Sequence, residues 1–219
     1  EMLSMGFIED IEWILEQMPE EKQSALFSAT MPPPIRKICE KYLRDPAEIT
    51  IKIKTAISPN IRQRYLKRRN SDKLDTLLDI LEIEEYDAVL VFAKTKNGTL
   101  ELADRLQNRS FVAEALNGDI PQNRRERIVN NLKQGKIDVL VATDVAARGL
   151  DVERISHVVN YDAPFDVDSY VHRIGRTGRA GRSGDAILFL TGKETRLMRG
   201  IERTMGGKLE KYEFPSLED

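Results

Sequence analysis

Between Tyr170 and Gly184 the chain reads Tyr-Val-His-Arg-Ile-Gly-Arg-Thr-Gly-Arg-Ala-Gly-Arg-Ser-Gly, with arginine at 173, 176, 179 and 182 and glycine at 175, 178, 181 and 184. No acid lies within it. Arginine presents a planar fork that matches phosphate oxygens, and glycine lets a backbone come close to such a partner. The ordinary reading of a charge run is a solvated basic loop. Two things weigh against it. The whole chain carries a net charge of −2, so the cluster is not a symptom of a basic protein. A solvated loop also has no need of glycine at every third place. The triplets are few and hold no proline, which excludes collagen-like repetition. An anionic partner is expected.

Four other stretches could do chemistry. Residues 142–151 (Ala-Thr-Asp-Val-Ala-Ala-Arg-Gly-Leu-Asp) follow an apolar run. Their hydroxyl, glycine and two aspartates could hold phosphate and ribose, although Thr, Asp and Gly are also ordinary turn residues. Gln122-Asn123-Arg124-Arg125-Glu126-Arg127 opens a helical pattern after Pro121. Three arginines there oppose the helix dipole, so either an anion sits nearby or the face is solvated with Glu126 as a partner. Val91-Phe92-Ala93-Lys94-Thr95-Lys96 ends an apolar run with two lysines and a threonine, a candidate backbone-phosphate contact. Ser28-Ala29-Thr30 is the weakest of the set, because small hydroxyls are common at strand ends.

These residues need a scaffold. Short apolar runs alternate with segments of helical period. Strands are predicted at residues 24–29, 47–53, 62–67, 88–93, 112–116, 137–142, 155–160 and 186–190. Helices are predicted over residues 32–43, 98–107, 122–134, 167–174 and 193–205, with a further one capped by Ser71 and carrying Leu74, Leu77, Leu78 and Leu81. The 62–67 strand alternates like an edge strand. Residues 54–60 lack a period and read as a linker. Such alternation implies βαβ units and a parallel sheet with helices on both faces. In these sheets ligands sit at the carboxyl ends of the strands, and the unusual residues are expected there.

Composition narrows the class. The chain has 219 residues, 41% of them hydrophobic, which fits one large domain or one domain with part of another. A sequence pI near 5.9 argues that any nucleic-acid surface is local. The single cysteine, Cys39, excludes an internal disulfide, and with only His157 and His172 no metal site is expected. No apolar run is long enough to cross a bilayer, and the cytoplasm is the expected location. The chain opens at Glu1 inside an amphipathic pattern (Met2, Met5, Phe7, Ile8, Ile11, Ile14, Leu15), as a piece of something longer would.

In order and spacing the motifs resemble the DEAD-box RNA helicases of superfamily two. His172-Arg173-Ile174-Gly175-Arg176-Thr177-Gly178-Arg179 matches the family's His-Arg-x-Gly-Arg-x-x-Arg element without departure, and residues 142–151 match its Ala-Thr-Asp-x-x-Ala-Arg-Gly-x-Asp element. Gln122 and Arg125 match its Gln-x-x-Arg element, and residues 91–96 its strand-end motif. Val159-Asn160-Tyr161-Asp162 and residues 201–205 are most similar to the bacterial cold-shock group, whose work includes ribosome biogenesis.

The resemblance implies an α/β fold: a RecA-like parallel sheet with helices on both faces, preceded by the C-terminal remnant of a second RecA-like domain. It divides the chain into that remnant (1–53), a linker (54–60), domain two (61–205) and the start of an extension (206–219). It implies ATP with Mg2+ as cofactor, the metal bound mainly through the absent first domain. Neither the P-loop pattern nor the Asp-Glu-Ala-Asp tetrad of that domain occurs here, so this chain alone should be inactive.

By the same resemblance Arg176 and Arg179 are arginine fingers, His172 relays between nucleotide and coupling motif, and Asp151 with Gly149 meets the nucleotide. Arg173 forms a structural ion pair. Thr95, Lys96, Gln122, Arg125, Thr143 and Arg148 hold RNA by its backbone, independent of sequence. Ser28, Ala29 and Thr30 couple the two activities. No membrane partner is expected. Self-association through residues 1–53 is, because Leu26, Phe27, Ile49 and Ile51 lack neighbours to pack on. The alternatives are a non-catalytic RNA-binding or partner-docking module, and half of a DNA helicase of the same superfamily.

Overall fold

The computed structural model describes residues 7–28, 31, 33–50 and 60–215. Contacts divide the chain into two units, Glu1–Lys52 and Ile53–Asp219. The amino-terminal unit holds helices α1 (Ile8–Gln17) and α2 (Pro33–Tyr42). Prolines open α2, where a missing N–H costs nothing. Lys41 Nζ meets Glu12 Oε1 at 2.9 Å, and Ile35 and Ile38 are buried. The strands expected over 24–29 and 47–53 are not formed at their described residues, 24–28 and 47–50. A strand is made by the hydrogen bonds of a neighbour, and these segments have none among the described residues. Phe27 is 94% exposed and Ile49 88% exposed. Ala29, Thr30, Ile51 and residues 54–59 lie outside the described residues.

The carboxyl-terminal unit is a seven-stranded, wholly parallel sheet. Its strands are β1 (Ile61–Lys67), β2 (Val89–Phe92), β3 (Ala113–Leu116), β4 (Val139–Ala142), β5 (His157–Asn160), β6 (Gly184–Leu190) and β7 (Glu210–Lys211), in the spatial order β3-β4-β2-β5-β6-β1-β7. The helices between them are α3 (Lys73–Ile83), α4 (Lys96–Gln107), α5 (Gln122–Lys133), α6 (Asp144–Ala147), α7 (Val167–Ile174) and α8 (Thr195–Met205). The runs Val-Leu-Val-Phe and Val-Leu-Val-Ala are buried throughout, as strands covered on both faces must be. Alternate residues feed opposite cores. Val89, Val91, Val139 and Val141 pack with Leu77, Leu102 and Leu106 beneath α3 and α4. Leu90, Phe92, Leu140 and Ala142 pack with Ile128 and Leu132 of α5, and α7 and α8 extend that layer over β6.

Three details differ from the sequence-based expectation. β1 is not an edge strand: it lies between β6 and the two-residue β7, and Tyr212 just beyond β7 is 3% exposed. Ser71 does not cap α3. It sits in a 3-10 turn, Asn70–Asp72, and its hydroxyl donates to Asp72 Oδ1 at 2.6 Å. Finally, the stretch after β4 holds a helix of its own, α6.

Candidate functional site

Two clusters form, at opposite ends of the sheet. At the carboxyl ends of β2, β3 and β4 lie Thr95, Lys96, Asn117, Asp119, Thr143 and Asp144. Thr95 caps α4, accepting the Gly98 amide at 3.0 Å. Thr143 caps α6, accepting the Ala146 amide at 3.4 Å. Both hydroxyls are thus fixed by the helix they start. Lys96 pairs with Asp119, and both are exposed. Gln122 and Arg125 sit on the first turn of α5. Gln122 Nε2 reaches Glu126 Oε1 at 2.9 Å, and Arg125 Nη2 donates to the carbonyl of Arg148 at 3.1 Å. That bond ties the start of α5 to the loop after α6. Thr95, Lys96, Gln122, Arg125, Thr143 and Arg148 therefore share one end of the domain.

The arginine loop lies elsewhere. It joins α7 to β6 and so packs at the amino ends of the strands, not at the carboxyl ends where it was expected. Thr177 Oγ1 donates to the carbonyls of Ile155 and Ser156, at 2.7 and 2.8 Å, immediately before β5. A topology rule about strand ends cannot see that this loop is a return connection. Gly149 and Asp151 flank Leu150, whose carbonyl accepts from Arg176, and Asp151 pairs with Arg179, so the stretch between α6 and β5 meets the arginine loop.

The loop is also less bare than its sequence. Arg173 is 3% exposed, and its Nε and Nη2 meet both carboxylate oxygens of Asp144 at 2.6 and 2.7 Å. Its Nη1 donates to Asn160 Oδ1 at 3.1 Å and to the Asp162 carbonyl at 2.6 Å. The guanidinium lies 4.8 Å from the centre of the Phe92 ring. Arg176 donates to the carbonyls of His172 and Leu150, at 3.3 and 3.1 Å. Arg179 pairs with Asp151, and Arg182 with Asp87. The expectation of an anionic partner for the whole row is narrowed: Asp144, Asp151 and Asp87 pair with three of the four arginines, and the ion pair expected of Arg173 is formed.

The glycines have packing reasons as well. A Cβ on Gly184 would sit 2.4 Å from Thr177 Oγ1 and 2.6 Å from the Gly178 amide. Gly178 itself has φ of 64°, and its Cβ would meet Ile61 Cγ1 at 2.6 Å.

The geometry sorts the arginines by freedom. Arg173 is locked by four acceptors. Arg179 rests on Asp151, whose side chain is 80% exposed, and such a pair contributes at most about 1 kcal/mol. A polyphosphate can therefore displace it at small cost. Arg176, Arg179, Asp151 and Gly149 occupy one surface, and two guanidinium donors beside a carboxylate acceptor suit a triphosphate beside a ribose. His172, half-buried, sits one turn before Arg176. Among the described residues no three of His, Cys, Asp and Glu converge on a point. Ser28 is exposed in the amino-terminal unit.

Sequence reasoning missed a buried polar cluster. Arg64 on β1 bonds Glu84 at 2.7 Å and Asp185 at 2.8 Å, with Tyr212 stacked 4.6 Å from its guanidinium. Burial pushes the Glu84 carboxyl up, but hydrogen bonds from Arg64 and Tyr212 outweigh it and hold the group at about 2. Burial pushes the neighbouring His157 imidazole down. The signal was faint: one arginine within an alternating strand.

Parallel sheet, strand-end threonines and an arginine-bearing return loop together define the second RecA-like domain of a helicase. A model of the helicase conserved C-terminal domain matches residues 72–181. The chain belongs to that family, in its DEAD-box branch. It is 55% identical over its whole length to the ATP-dependent RNA helicase DeaD of Mycobacterium tuberculosis, and 48% identical to the DEAD-box ATP-dependent RNA helicase CshA of Bacillus cereus. It spans 38% and 42% of the length of those relatives.

Among solved structures, it is similar to E. coli SrmB bound to the regulator RraA, at 34% identity and a TM-score of 0.67, covering 72% of this chain and 93% of that one. It is similar also to S. cerevisiae Dbp5 bound to RNA and ADP BeF3, at 29% identity and a TM-score of 0.85, covering 96% of this chain and 56% of that one.

Proposed function

We propose that this chain supplies the second RecA-like half of an ATP-dependent RNA helicase, which separates or remodels short RNA duplexes as two such domains close on ATP and RNA. The observation that carries the reading is the gathering of Arg176, Arg179 and Asp151 on two adjoining loops, on a surface apart from Thr95, Lys96 and Thr143. ATP with Mg2+ supplies the phosphoryl chemistry. Arg176 and Arg179 stabilise charge on the transferring phosphate, Asp151 accepts the ribose hydroxyl, and Gly149 gives the backbone room. His172 relays between the nucleotide and the coupling motif Ser28-Ala29-Thr30. Thr95, Lys96, Gln122, Arg125, Thr143 and Arg148 take RNA phosphates and sugars without reading bases.

By the resemblance, the metal is held mainly through the first RecA-like domain. The boundaries we infer are 1–53 for the remnant of domain one, 54–60 for the linker, 61–205 for domain two and 206–219 for an extension. No helix among the described residues is long and apolar enough to cross a membrane, and the cytoplasm, with cold shock and ribosome biogenesis, is the setting we infer from the resemblance.

The test is direct. The purified 219-residue chain should show no RNA-stimulated ATP turnover above a mock preparation. Joined to the nucleotide-binding domain of a relative, it should turn ATP over when RNA is added. Turnover by the chain alone, or none by the joined protein, overturns the reading.

We also infer self-association through residues 1–53. Phe27 and Ile49 stand in water, each forfeiting roughly 1.5–3 kcal/mol of burial, and the segments that carry them lack strand partners. Light scattering should give more than a monomer for the full chain and a monomer for a shortened chain beginning near Ser58. A monomeric full chain with protected amides in residues 24–50 defeats this inference.

A further inference from the structure

The outer face of α8 carries cations without counterions. Arg196, Arg199 and Arg203 are exposed, and none makes an ion pair or hydrogen bond among the described residues. At 100° per residue they fall within an arc of about 60°. The opposite face, with Leu197, Met198, Ile201 and Met205, packs onto the sheet, so the arginines are held outward. The nearest acids in sequence are turned away: Glu194 accepts the Thr191 amide at 2.7 Å, and Glu202 the Leu209 amide at 3.4 Å. Like charges three and four residues apart weaken a helix. In a chain of net charge −2, that row is a local feature needing a local reason.

The row continues onto the carboxyl end of the sheet. Lys193, just before α8, lines a groove of about 770 Å³ with Lys94 and Phe165. The other cations of that groove are neutralised, Lys73 by Asp162 and Arg173 by Asp144. Lys94 and Lys193 are exposed, and their ammonium groups pair with no group among the described residues. Phe165 is 96% exposed, an apolar ring left in water beside two free cations. The mount is close-packed, since a Cβ on Gly200 of α8 would lie 3.0 Å from Val167 of α7. Lys94 is the immediate neighbour of Thr95, so this surface is continuous with the strand-end cluster.

We propose that Phe165, Lys94, Lys193 and the α8 arginines form a second RNA contact, which holds a single strand as it leaves the track over Thr95, Lys96 and Thr143. The inference rests on the reading of that track as an RNA surface. An exposed ring flanked by cations is the composition of a stacking platform, where any base fits. From Lys193 to Arg203 the row spans about 15 Å, long enough to meet more than one phosphate of a single strand.

The test uses a labelled uridine oligonucleotide long enough to cover both surfaces, titrated without nucleotide at several salt concentrations. Changing Arg196→Gln, Arg199→Gln and Arg203→Gln together should weaken binding and flatten the slope of log affinity against log salt by roughly 2, as three lost phosphate contacts require. Phe165→Ala should weaken binding roughly tenfold at unchanged slope. Circular dichroism of the variants controls for folding. If the triple variant binds as the parent does while Lys96→Gln weakens binding, the second contact is wrong and the strand-end track stands. If only the triple variant weakens binding, the contact stands and the track fails. An absence of binding by the parent chain at low salt defeats both. Capture of polyglutamate in preference to RNA, lost in the triple variant, overturns the proposal in favour of an acidic protein partner.

Discussion

Arg179→Ala should lower RNA-stimulated ATP turnover by roughly 10³–10⁵-fold, measured on the chain joined to a relative's nucleotide-binding domain, while nucleotide-free RNA affinity holds. The argument runs through the pair that Arg179 makes. Its guanidinium is held by Asp151, an exposed acid, on the surface we propose for nucleotide, so the resting contact is weak and exchangeable. Removing the side chain therefore costs the fold little. What would be lost, on the proposed reading, is a charged fork that meets the transferring phosphate as charge gathers on it. Arg179→Lys keeps a charge but not the fork, and should recover only part of the rate. RNA affinity should hold because the residues we propose for RNA, Thr95, Lys96 and Thr143, sit at the other end of the strands. A matching fall in nucleotide-free RNA affinity would place the arginine loop on the RNA surface and overturn the assignment.

The sheet was legible in the sequence because its signal is local. Val89–Phe92 and Val139–Ala142 are short apolar runs that admit only a strand covered on both faces. Helix α7 was expected at its observed ends, and the structure shows Asp166 capping its start with its side chain. The failures are long-range. Residues 24–28 and 47–50 have strand composition, but pairing needs a partner that composition does not provide. The arginine loop looked unneutralised because its acids lie 29, 28 and 95 residues away. The motif residues were found, but not the end of the sheet to which each belongs. That depends on the path from α6 to β5, and a four-residue helix is too short for a periodic signal. The Arg64 cluster and the α8 arginines carry no motif. They emerge only when burial and pairing are known.

Arg173→Ala should cost the carboxyl-terminal unit about 3 kcal/mol, the lower end of the range for removing one partner of a buried pair. The lower end applies because the Asp144 side chain is 43% exposed and water will reach part of the vacated charge. Three acceptors lose the same donor at once: the Asp144 carboxylate, the buried Asn160 side chain and the Asp162 carbonyl. The ring of Phe92 also loses its cation. Because Asp144 lies in α6 and Arg173 in α7, the pair fixes the helix behind Thr143 against the helix that leads into the arginine loop. It is thus the mechanical link between the two clusters.

Arg182→Ala is the proper contrast, since its pair with Asp87 is about half exposed on both sides and should contribute at most about 1 kcal/mol. Urea unfolding followed by circular dichroism should show the midpoint of Arg173→Ala well below that of Arg182→Ala at unchanged slope. Adding Asp144→Asn to Arg173→Ala should recover part of the loss, because the stranded charge is then gone. Equal midpoints for the two single variants, or no recovery in the double one, would show that Arg173 is not the link that its four hydrogen bonds describe.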